Sequence, residues 1–155
     1  MFERKDFDNL VSIEGDNLKF LSGYQGLYYV YYPQYAFKVP DSEESIRITR
    51  APKNSSDNGL RFWLSAELAD NWQGRENHLL PYLSGSYFER INEAVFAGLV
   101  AEKVSALINP PELPFVSEQA FHGALLMYSM KTEFIVSIFA EYEREYIHFA
   151  WETTA

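Results

Sequence analysis

The 155-residue chain has no cysteine. Disulfides, thiolate nucleophiles and cysteine-based zinc sites are excluded together, and the composition fits a reducing compartment. Histidine is scarce. His78, His122 and His148 stand singly, without the HxH, HxxxH or HExxH spacing that brings two imidazoles to one metal. No GxSxG elbow is present; Leu83-Ser84-Gly85-Ser86 comes nearest and reads as a turn followed by a helix cap. The Gly23–Gly26 stretch GYQG lacks the lysine and following helix of a phosphate loop. These absences point away from an enzyme, with no catalytic residue, no cofactor and no metal expected. No apolar run approaches the roughly 18 residues of a membrane span. The opening MFERKDFDNL is charged and lacks the apolar core of a signal peptide. A cytoplasmic protein with no membrane partner is expected.

Positive charge is also in short supply. Thirteen lysines and arginines stand against 22 acids, a net charge of −9. That balance repels phosphate backbones, so no nucleic acid is expected as partner, and it steers the chain toward basic proteins. The distribution is uneven: Val104 to the end carries −5, whereas Ala36–Arg61 carries +1. Aromatic residues, by contrast, are abundant at 17 %, with 11 tyrosines and 12 phenylalanines. Six of those tyrosines (24, 28, 29, 31, 32 and 35) fall within twelve residues. One buried strand face does not need so many, and tyrosine is a good interface residue because it joins large contact area to few rotors and a polar tip.

The pattern predicts a single α+β domain over 1–155, a mostly antiparallel twisted sheet packed on one long helix, with one or two short helices. The long helix is read over 86–108, opened by a Ser86–Glu89 capping box and stopped by Pro110-Pro111. Its apolar residues fall in two rows, Phe88-Ile91-Val95-Leu99 and Phe96-Val100-Val104-Leu107. A short N-terminal helix follows from Phe7, Leu10 and Val11, and Asp16-Asn17 reads as a turn. Strands are predicted at 24–39 with a break at Pro33, at 45–50, and at 60–64 after the loop KNSSDNG. A short helix follows at SAELADNW. From Gly123 onward the chain reads as strands, although 133–143 also fits a helical period.

On an extended backbone Glu141, Glu143 and Glu145 share one face as a row of acids. Such a row is a solvated hairpin end or a surface for a basic partner. His148 is expected at the surface beside Tyr146. The partner-binding residues expected are Glu141, Tyr142, Glu143, Glu145 and Tyr146, with Tyr29 and Tyr31 behind them.

The ending EYEREYIHFAWETTA resembles those of small acidic bacterial proteins. With the chain's size, acidity and aromatic richness, it is similar in character to the immunity proteins of bacterial toxin systems. The resemblance implies a cytoplasmic, non-catalytic inhibitor that neutralises a basic cognate toxin, such as a nuclease, by covering its active site or substrate surface. Two other readings stand beside it. A small-molecule or enzymatic pocket lined by tyrosines and Trp63 or Trp72 is one. A homo-oligomer, at its simplest a homodimer, built through the same tyrosines is the other.

Overall fold

The strands expected from Gly123 onward form: β4 (Phe121–Tyr128), β5 (Ile135–Tyr142) and β6 (Glu145–Thr153). The computed structural model describes residues 1–14, 24–70, 76–113, 115, 118–128 and 133–154. The expected turn at Asp16-Asn17, and Trp72, lie outside those residues. Two earlier strands, β1 (Tyr28–Tyr32) and β2 (Glu44–Pro52), and one later, β3 (Tyr87–Ile91), complete a six-stranded antiparallel sheet. Its order is β1-β2-β6-β5-β4-β3. The chain is α+β, and every strand pairing is antiparallel.

Both sheet faces are covered. On one, α1 (Arg4–Glu14) and α2 (Leu60–Asp70) bury Phe2, Phe7, Phe62, Trp63 and Leu64 against Leu125, Met127, Phe139 and Tyr146. A third helix, α3 (Glu76–Ser84), adds Leu83 to this cluster. On the other, α4 (Glu93–Val104) lays Phe96, Val100 and Val104 over Ile138, Ile147 and Phe149. Each such side chain contributes about 1.5–3 kcal/mol on burial. Among the described residues no helix is long and apolar enough to cross a membrane.

The long helix over 86–108 is not there. Its first turns are strand β3, and only Glu93–Val104 is helical. Ser86 donates its hydroxyl to the Tyr82 carbonyl at 2.9 Å instead of capping forward. The working cap is Asn92, whose side chain accepts from the Val95 N–H at 2.9 Å. Of the two apolar rows, the one ending in Leu107 is buried, while Val95 of the other stays exposed.

The strand expected at 60–64 is also absent. Asp57 accepts from the N–H groups of Arg61 and Phe62, and Asn58 accepts from that of Leu60. Together they start α2 there. The alternation in LRFWL was coincidental: Leu60, Phe62, Trp63 and Leu64 are all buried, as in a helix enclosed on most sides. Gly59 precedes them at φ +101, with the Phe139 ring where a Cβ would sit, so no larger residue fits.

Candidate protein-binding edge

β1 is the first strand of the sheet order, so among the described residues one of its edges has no neighbouring strand. Pairing with β2 runs unbroken from Tyr28 opposite Arg50 to Tyr32 opposite Ile46. Beyond it, Pro33 ends the strand, and a 3₁₀ turn, Gln34–Ala36, leads to two backbone bonds with the segment after α4, Ile108 N–H to the Ala36 carbonyl and Lys38 N–H to the Ala106 carbonyl. The strand therefore sits on a firm base while its side chains project past the covering helices. Tyr28 is 53 % exposed, Tyr29 57 %, Val30 47 % and Tyr31 49 %. Tyr35, on the adjoining turn, is exposed at 77 %.

The tyrosines are held from beneath by two arginines of β2. Arg47 lies 4.3 Å from the Tyr29 ring centroid and 5.5 Å from that of Tyr31, on the α2 face. Arg50 lies 5.9 Å from Tyr28 on the α4 face. Such stacking orients each ring without burying it, which reduces the ordering cost of a later contact. On the α4 face a groove of about 380 Å³ runs between Tyr28, Val30, Tyr32 and Arg50 on one side and Pro111, Glu112 and Phe115 on the other.

The expected row of glutamates does not form. The β5–β6 hairpin turns at Glu143-Arg144, so strand parity does not run through it. Glu141 sits opposite Tyr146 on the α2 face, while Glu145 shares the α4 face with Ile147. Glu141 is buried, with its carboxylate 3.7 Å from Lys53 Nζ and 3.6 Å from His122 Nδ1. Glu145 pairs with Arg50 at 2.5 Å. Only Glu143 of the three is exposed. Tyr142 packs edge-on against Phe121, and Tyr146 is buried with its hydroxyl donating to the Asp57 carbonyl at 2.9 Å. Of the seven expected partner-binding residues, Tyr29, Tyr31 and Glu143 face solvent. Glu141, Tyr142, Glu145 and Tyr146 hold the sheet together instead.

Burial raises both hairpin phenols. Tyr142 is pushed up to about 12, by burial first and then by Glu93 and Glu145. Tyr146 is also raised, by burial first and then by Asp57, Glu141 and Tyr24. Below pH about 10, the unfolded phenol value, both are neutral in either state and the stabilisation is complete. As pH rises from there to about 12, the unfolded chain releases protons that the folded chain keeps, so stability falls. Urea midpoints measured across that window are expected to drop, and Tyr142→Phe to flatten the drop.

His148, expected at the surface, is fully buried beneath α2. Its Nε2 lies 3.0 Å from Glu67 Oε1 and 3.1 Å from Ser137 Oγ, and the Ser137 hydroxyl donates to the same Glu67 oxygen at 2.6 Å. A nucleophilic triad needs the serine on one imidazole nitrogen and the acid on the other. Here both hydroxyl and imidazole converge on a single carboxylate oxygen, and Nδ1 has no hydrogen-bond partner among the described residues. The trio is a polar clamp between α2 and the sheet. Sequence reasoning missed it because its three members lie far apart in the chain. Among the described residues no three His, Asp or Glu side chains converge as metal ligands.

No protein-family model matches the chain, and neither a curated protein nor a solved structure matches it.

Proposed function

We propose that the chain is a non-catalytic protein-binding protein, an inhibitor of the immunity type, whose exposed β1 side chains engage a basic protein such as a toxin. One observation carries this reading: four consecutive large side chains, Tyr28–Tyr31, are roughly half exposed on an edge strand, although the fold buries apolar residues on both sheet faces. Exposed aromatic patches of this kind mark interaction sites. The net charge of −9 speeds encounter with a basic partner, and the tyrosines slow its release. The acidic hairpin has no direct part in the contact beyond Glu143, since Glu141 and Glu145 are already paired.

The test is capture by the tagged full chain from native host lysate, washed at rising salt. One basic protein held at low salt and progressively released is the expected result. The groove beside Tyr28, Tyr32 and Phe115 favours a second reading, a small-molecule site. Thermal stabilisation of the purified chain by members of a metabolite library, with loss of the effect in Tyr32→Ala, would establish that reading instead.

A further inference from the structure

Only one of the two sheet edges is guarded. β3 carries Glu89 and Arg90, both exposed, and charged side chains on an edge strand oppose pairing with another chain. β1 has no charge, no proline and no glycine in its five residues, and its continuous register with β2 shows no bulge to twist it away. Among the described residues its outer row of backbone N–H and C=O groups faces no strand of the sheet.

The sequence of β1 is a palindrome, YYVYY. Laid antiparallel against an identical strand and centred on Val30, it sets Tyr28 opposite Tyr32, Tyr29 opposite Tyr31, and Val30 opposite its own equivalent. Tyrosine meets tyrosine at every flanking position, and cross-strand aromatic pairs stabilise an antiparallel ladder. A two-fold axis normal to the sheet also keeps the two faces in register, as an isologous interface requires. Any extended peptide would satisfy the backbone, but a second copy supplies this side-chain match by its own symmetry. Charge favours the same occupant. The chain as a whole carries −9, yet Tyr24–Arg61, which holds β1 and β2, carries +1. Two copies meeting here approach through their least acidic segment.

We propose that β1 pairs with β1 of a second copy, joining two six-stranded sheets into one continuous sheet. This rests on reading β1 as an interface and not on the identity of any further partner. On the α2 face the pairing sets Tyr29 and Tyr31 of one copy beside those of the other, so the dimer presents four tyrosines where the monomer presents two. The strand faces stay open for a basic protein.

Because the chain has no cysteine, Val30→Cys provides a direct probe. Facing residues of an antiparallel pair have Cα atoms about 4.5 or 5.5 Å apart, within the roughly 4.4–6.8 Å that a disulfide spans. Val30 is half exposed, so the variant folds without repacking. Mild oxidation is expected to give a covalent dimer in high yield, while Tyr87→Cys on the guarded edge stays monomeric. In sedimentation velocity across a concentration series, Val30→Lys and Val30→Glu should each weaken self-association at least about tenfold, since like charges then oppose each other on the axis. Mixing the two should restore a heterodimer, which pairing with any other partner would not do. A parent chain monomeric at all concentrations, with no Val30→Cys cross-link, overturns the proposal. So does a dimer that both charged variants leave intact. Partner binding fails separately, through salt-dependent capture that does not depend on Tyr29 and Tyr31.

Discussion

Replacing Glu67 by alanine is expected to cost about 3–5 kcal/mol of folding stability, the largest effect of any single polar substitution considered. Glu67 Oε1 is the acceptor on which Ser137 Oγ and His148 Nε2 converge, and all three side chains are buried between α2 and strands β5 and β6. Removing the carboxylate leaves the Ser137 hydroxyl and the His148 imidazole, 3.1 Å apart, without the third member that both contact, in a buried space. It also removes side-chain volume from a buried position on α2. Urea unfolding of Glu67→Ala should show a large fall in midpoint with little change in slope. The triple replacement Glu67→Leu, Ser137→Ala, His148→Phe removes donors and acceptor together and should recover most of the loss. If Glu67→Ala unfolds at the parent midpoint, the clamp contributes nothing.

Removing Tyr29 and Tyr31 together is expected to lower affinity for the captured basic protein by about 100-fold or more, the range of interface hot spots. Both rings are half exposed and rest on Arg47 without entering either core cluster. The Tyr29→Ala/Tyr31→Ala protein should therefore keep its folding stability within about 0.5 kcal/mol per site. That separation of binding from stability is the useful feature of the pair. Tyr142→Ala or Tyr146→Ala would destabilise the sheet directly, because both are buried. Charge reversal at Glu141 or Glu145 would break ion pairs within the fold, so a loss of binding there would be ambiguous.

How far the sequence reported this architecture depended on whether a pattern had one physical cause. The strands expected from Gly123 onward are rich in β-branched and aromatic residues, and they formed. Ser86 and Asn92 are both good helix caps, and one-dimensional spacing cannot choose between them. Pairing with β4 decided it, by drawing Tyr87–Ile91 into the sheet. LRFWL alternates by accident, and the Asp57-Asn58 caps outweighed β propensity there. The acidic row failed for a geometric reason: a two-residue hairpin turn at Glu143-Arg144 sends Glu141 and Glu145 to opposite faces. Glu67, Ser137 and His148 meet through tertiary contacts that no local pattern encodes. The exposed tyrosines were legible for a simpler reason. Six within twelve residues exceed what one buried face can absorb, and the surplus lies on the surface.

The most direct test of protein binding through β1 is a side-by-side capture from native lysate at rising salt, with the parent chain and the Tyr29→Ala/Tyr31→Ala protein as baits. The expected result is one basic protein held by the parent at low salt, released progressively, and missing from the double variant throughout. Equal retention by both baits, or a parent that returns alone at every salt, would contradict it.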